Sequence, residues 1–203
     1  PAQTGGGQTT RIAKPSDNKN FTPVSYNGYS GQGYIIKDFR RFVGSAIKLI
    51  GGVQVVGPND PFPAGMKNEC AQFVQYFGVP RTTTWKRGPR VCDLKASEIA
   101  EGTVVATLRD GKYHSDYSGR SHVGIYLSHD SYTDYLNDKK SGAVTIMDQW
   151  NGARIGQRSK RYAVEADKEG SKSKKSWTHA NGIVHTKRVS WTSVGEDYYA
   201  FLT

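Results

Sequence analysis

Three residue types that together perform nucleophilic amide chemistry occur in order along the chain: Cys70, His122 and Asp148. A thiolate attacks a carbonyl carbon, and a histidine takes the thiol proton and later hands it to the leaving amine. A carboxylate on the far ring nitrogen fixes the tautomer and orientation of the imidazole. Cys70 is singled out by its setting. Phe73, Val74 and Phe77 follow it at offsets of three, four and seven, the spacing of one buried helix face. Pro61, Pro63 and Gly65 stop regular structure upstream, so the helix is expected to start at Asn68 or Glu69. The sulfur then sits in the first turn, where free backbone N–H groups and the positive dipole end favour a thiolate. Such a setting lowers a cysteine pKa from about 8.5 to roughly 3.5–7.5. The plainer alternative is a small buried apolar residue, a common role for free cysteine.

Of the five histidines, His122 is the best placed, because it opens the apolar run 122–127, whereas His114 and His129 lie in polar loops. Asp148 closes the next strand, expected over 143–148. If these strands are antiparallel neighbours, the start of one lies beside the end of the other. A single register then pairs His122 with Asp148 and Leu127 with Ala143, setting both polar residues opposite each other on one face. The alternative is a rim histidine and aspartate that merely satisfy each other.

The elements that must position these groups are read from periodicity. Residues 1–20 carry glycine, threonine, glutamine and lysine with almost no large apolar side chain, and read as a flexible tail or linker. A single domain is expected over 21–203. Within it, residues 21–34 are expected to lie extended. Phe39, Phe42, Val43, Ala46, Ile47 and Ile50 form an apolar stripe that predicts a packing helix over 37–50, stopped by Gly51 and Gly52. Residues 53–56 predict a short strand and 81–89 an irregular stretch. Strands are expected over 103–108, 182–187 and 197–202 as well. The fold class is therefore α+β, helices first and an antiparallel sheet after them.

A formal charge of +10, from 28 Lys and Arg against 18 Asp and Glu, makes the surface attractive to polyanions, including acidic cell-wall polymers. It is not arranged as a nucleic-acid motif. Much of it lies in 154–175, around Arg158, Lys160 and Arg161, a pattern that usually marks a solvated loop. No apolar run approaches the ~20 residues of a membrane helix, so membrane insertion is not expected. The chain opens on Pro1 without a basic-then-apolar signal segment, which suggests a mature form or a fragment of something longer. Two cysteines, Cys70 and Cys92, permit one disulfide but no four-ligand zinc site of their own, and no metal or organic cofactor is expected. A Cys70–Cys92 bridge is the structural rival to a reactive Cys70.

The segments Glu69-Cys70-Ala71-Gln72-Phe73-Val74, Gly102-Thr103-Val104-Val105-Ala106 and Ser121-His122-Val123-Gly124-Ile125-Tyr126-Leu127 resemble those of NlpC-like and CHAP-type cysteine peptidases and amidases. The stretch from Gly78 to Gly88, with Asp148-Gln149-Trp150, looks closer to a bacterial amidase-effector branch of that superfamily. The resemblance implies a papain-like fold, with helices that include the cysteine helix packed on an antiparallel sheet carrying His and Asp. It implies Cys70 as nucleophile, His122 as base and Asp148 as the third polar residue, cutting an amide in bacterial peptidoglycan. Ala71-Gln72 stands where a small Ser-Gly pair is common, and Asp148 where His, Asn or Glu is frequent. The oxyanion is assigned to the Cys70 backbone N–H and a second donor left unnamed.

Trp85, Tyr113, Tyr117 and Trp150 flank these motifs and can line a groove for a peptide or sugar, core or rim packing being the alternative. Arg109, Lys112 and Arg120 can attract muropeptide carboxylates, or simply be solvated. The implied setting is a secreted or injected protein acting in the periplasm or cell wall of a target bacterium. An immunity protein that plugs the groove is then the expected partner, with no role for nucleic acid. Two other classes stay open: a wall-binding module with the cysteines bridged, and a papain-like glutamine deamidase or transglutaminase.

Overall fold

The computed structural model describes residues 20–50, 53–57, 69–108, 111–114, 121–138, 142–150, 153–162, 165–166, 172–178, 184–190, 195 and 198–203. The tail expected over 1–20 lies, but for residue 20, outside them. Strands β1 (Phe21–Val24) and β2 (Gly33–Ile36) form an antiparallel hairpin, as do β3 (Ala46–Ile50) and β4 (Val53–Gly57). Helix α1 (Cys70–Gln75) follows, and then β5 (Lys86–Arg90), β6 (Val104–Thr107) and β7 (Val123–His129). Helix α2 (Tyr132–Asp138) leads to β8 (Ala143–Trp150) and β9 (Ala153–Arg161). Short β10 (Glu165–Ala166), β11 (Lys172–Thr178) and β12 (Val184–Ser190) form a separate antiparallel sheet, and β13 (Tyr198–Leu202) ends the chain.

The central sheet is antiparallel throughout, in the order β5-β13-β6-β7-β8-β9. Its middle strands are apolar on both faces, because both are covered. Along β6, Val104 and Ala106 join one core with Phe73, Val74 and Phe77 of the α1 region, while Val105 joins a second with Val91, Ile99 and Tyr135. This is the two-residue alternation of a pleated strand, seen from its consequences. The described part of the molecule is thus mixed α/β and mostly sheet, with α1 and α2 as its short α-helices. None of its helices is long and apolar enough to cross a membrane.

Three expectations need correction. The helix over 37–50 is instead a 3₁₀ turn at Phe39–Phe42 followed by strand β3. The apolar residues are placed as the stripe implies, since Phe39, Phe42, Ala46 and Ile47 are buried, yet Val43 is exposed. Gly44 adopts φ 81°, which ends the helical turn, and the valine-rich β4 offers Ala46–Ile50 a pairing partner. The stretch over 81–89 is partly ordered as β5, an edge strand on β13. The third correction is register. β7 and β8 pair as Ile125↔Met147 and Tyr126↔Ile146, two residues away from the expected alignment, then shift at a bulge to Ser128↔Thr145. A displacement of two keeps every side chain on its face, so His122 and Asp148 become diagonal neighbours rather than direct partners.

Helix α2 has no counterpart among the expected elements. The Ser131 hydroxyl accepts the Asp134 N–H at 3.2 Å, and a Ser-x-x-Asp start is a sequence signal that could have marked it.

Candidate active site

At one end of the central sheet β6 finishes, β7 begins and β8 finishes, and α1 presents its first residue there. Glu69 caps α1 with extended backbone, so Cys70 is the first helical residue, just past the expected start at Asn68 or Glu69 and in the first turn as expected. His122 is tied down just before β7: its N–H donates to the Thr107 hydroxyl at 2.8 Å and its carbonyl accepts the Thr107 N–H at 2.9 Å. His122 Nε2 lies 2.6 Å from Asp148 Oδ2, which leaves Nδ1 for the sulfur of Cys70, with which the ring hydrogen-bonds. The hydroxyl of Tyr113 lies 3.1 Å from Cys70 Sγ. All three residues of the expected constellation are brought together and buried.

Gly124 explains how a diagonal pair can touch. A Cβ there would lie 2.9 Å from Ile146 Cδ1 and from the Met147 carbonyl oxygen and 3.2 Å from Asp148 Cβ, so a side chain opposite Asp148 would crowd it. The next residue of β8, fully buried Gln149, points to the other side of the strand and holds the other half of the site. Its Nε2 donates to the carbonyls of Ile47 and Glu69, both at 2.8 Å, and its Oε1 accepts the Ile47 N–H at 2.9 Å. Consecutive residues therefore tether His122 and the N-terminus of the cysteine helix. A bulge between Asp148 and Trp150 adapts this segment to β9. Gln149→Ala is expected to cost about 1–3 kcal/mol, the range for stranding a buried backbone donor. A urea midpoint equal to wild type would refute that role.

Charge reinforces the geometry. Burial pushes the Cys70 thiol up, but the adjacent His122 charge and hydrogen bonds from His122, Tyr113 and the Val123 backbone outweigh it, and the thiol pKa falls. Burial pulls His122 down, yet the sulfur and Asp148 raise it to about 9. Asp148 is opposed by burial and still held below the usual carboxylate range by His122, Lys160 and Arg158. Burial and the sulfur drive the Tyr113 phenol well above its ordinary value, so it stays a donor.

The four aromatic residues part company. Trp85 is buried, stacked on Phe201 at 4.4 Å and edge-on to Tyr113 at 4.8 Å, so it backs Tyr113 and does not face a groove. Tyr113 meets the sulfur itself. Trp150 is 42% exposed and lies beside the His122 ring. Tyr117 lies outside the described residues, as do Arg109 and Arg120. Both cysteines are free thiols, and they belong to the cores on opposite faces of the sheet, which removes the support for a bridge between them.

Gln149 stands in the chain only as part of the Asp148-Gln149-Trp150 resemblance, and Arg158 and Lys160 carry no signal there that marks them as part of the site. The two cations read there as a solvated loop but lie on β9, where Asp148 pairs with Gly156. Arg158 and Lys160, two and four residues further on, share the face of Asp148, and both reach its carboxylate. Among the described residues no His, Cys, Asp and Glu cluster is disposed to hold a metal ion.

The model of one family, domesticated amidase effector 2, matches residues 50–177, well over half of the chain and all of this site. The chain belongs to the domesticated amidase effector 2 family. Comparison with curated proteins and with solved structures gives no match. Membership agrees with the amidase-effector resemblance carried by Gly78–Gly88 and Asp148-Gln149-Trp150. For a family of amidase effectors the reaction class is amide cleavage.

Proposed function

We propose that this protein is a cysteine amidase of papain-like arrangement that hydrolyses an amide bond in bacterial peptidoglycan. The observation that carries the reading is the chain of contacts Tyr113–Cys70–His122–Asp148 at the start of α1. The Cys70 thiolate attacks the amide carbonyl, forming a C–S bond while the C=O electron pair moves to oxygen. The Cys70 N–H, free at the first helical position, and the Tyr113 hydroxyl are the donors proposed for that oxyanion. Collapse breaks the C–N bond as imidazolium His122 gives its proton to the departing amine. His122 then deprotonates water, which attacks the thioester and regenerates the thiolate. Asp148 holds the ring so that Nδ1 faces sulfur throughout. Trp150 is the proposed groove wall on the His122 side.

The family supports the amide, and the site supports a thiol mechanism. Peptidoglycan as substrate, delivery to the wall of a target bacterium and a cognate immunity protein extend that reading. Mass analysis of purified peptidoglycan after digestion tests it: the expected products are muropeptides cut at one amide. Intact muropeptides together with ammonia release from protein glutamines would replace it by deamidation. A second expectation is the pH profile. His122 must carry its proton to protonate the leaving amine, so kcat/KM should fall as pH rises through about 9. A profile flat across that region would exclude His122 as the acid.

A further inference from the structure

Asp148 is surrounded by more positive charge than a residue that only orients an imidazole requires. It is fully buried, yet His122 Nε2 at 2.6 Å and Lys160 Nζ at 3.2 Å share Oδ2, while Arg158 Nη1 engages Oδ1. The guanidinium is itself fixed. Nη1 also donates to the Asp148 carbonyl at 2.8 Å, Nη2 donates to the Arg154 carbonyl at 2.8 Å, and the Trp150 ring covers it at 4.0 Å. Fixed contacts on a buried carboxylate restrict both its position and its charge state.

With Asp148 ionised, one negative charge faces two cationic side chains behind the imidazole. A carboxylate compensated in this way pulls less on the imidazolium, and the surplus positive charge favours the thiolate beyond it. We infer that Arg158 and Lys160 are positioning residues that clamp Asp148 and set the pH window of the Cys70–His122 ion pair, moving it lower than Asp148 alone would. The inference rests on the reading of Cys70 and His122 as nucleophile and base. Among the described residues, Tyr113 meets the sulfur, and Glu69, just before Cys70, and Tyr198 act on Tyr113; none of them lies on β9.

The signs are opposite for the two kinds of charge. Loss of a cation makes every nearby proton harder to remove, so both edges of the window rise; loss of the Asp148 charge lowers both. A residue that only held the fold would change the rate without moving the edges together.

The test needs no substrate. Folded full-length protein is alkylated with iodoacetamide across pH, and the Cys70 peptide is followed by mass spectrometry. The rate steps up where the thiol ionises and changes again where the imidazolium does. Lys160→Gln and Arg158→Gln should move both steps to higher pH, and Asp148→Asn should move both lower. Arg158→Lys, which keeps the charge, should leave them in place. Below the lower step, each whole pH unit of displacement costs about tenfold in rate. Unmoved or lowered steps in the folded glutamine variants would overturn the inference, as would Arg158→Lys shifting as far as Arg158→Gln. If neither glutamine variant folds, Asp148→Asn is compared with the double variant Asp148→Asn/Lys160→Gln. The double should step at higher pH than Asp148→Asn, and coincident profiles would overturn the clamp. Wild-type Cys70 without a lowered step would instead sink the thiol reading itself.

Discussion

Cys70→Ala is expected to abolish amide cleavage, a loss on the order of 10⁴–10⁶-fold, while the protein stays folded. Alanine is the best helix former and suits the first position of α1. What disappears is the sulfur, and with it the acceptor of the Tyr113 hydroxyl 3.1 Å away, a loss of about 1 kcal/mol. His122 should report the change directly. Its value of about 9 depends on the thiolate, so in Cys70→Ala the ring should titrate at lower pH by NMR. Cleavage at the wild-type rate by the folded variant would end the thiol mechanism. An unmoved His122 titration in an inactive variant would show that the ion pair does not exist at rest.

Substitution of Asp148 and His122 should have effects nearly as large, on two separate quantities. For the rate of a single turnover the expected order is wild type, Asp148→Asn, Asp148→Ala, then His122→Ala. An asparagine oxygen still accepts the ring N–H, alanine leaves the ring free to turn, and His122→Ala takes away the proposed proton shuttle. For stability the order differs. Asp148→Ala removes the carboxylate that Arg158 and Lys160 share, leaving Lys160, only 9% exposed, without it and Arg158, 24% exposed, hydrogen-bonded to main-chain carbonyls. Breaking a buried ion pair from one side costs about 3–5 kcal/mol, a large share of a typical total of roughly 5–15. His122→Ala leaves those cations paired with Asp148 and should be the more stable protein and the less active one. Urea midpoints and single-turnover rates on the same samples decide it. If Asp148→Ala matched wild type in both, neither the imidazole nor the cations would depend on that carboxylate.

Part of this arrangement is legible in the amino-acid sequence. The apolar spacing after Cys70 is local information, and it marks the start of α1 to within two residues. The β-branched runs around Val104, Val123 and Val144 mark three neighbouring strands of the central sheet for the same reason. At residues 37–50 the same kind of reading fails. An apolar stripe there satisfies a helix and a turn-plus-strand alike, and the choice falls to Gly44, the β4 partner and the Gln149 contacts with Ile47.

Short-range pattern and composition settle much of the apolar core and which residue types are present to do chemistry. How those residues meet is settled in three dimensions. Register depends on pairing between distant segments, and a slip of two residues is invisible to a two-residue repeat, so the diagonal His122–Asp148 contact across Gly124 is not readable from the chain. Tyr113 reaches the sulfur because the fold carries a segment 43 residues further along the chain back to Cys70. Arg158 and Lys160 look like surface cations in the chain and become partners of a buried carboxylate because β9 pairs with β8 in one register. The cost of burying a charge is offset only by another charge brought to it through tertiary contact, and no local pattern records that meeting.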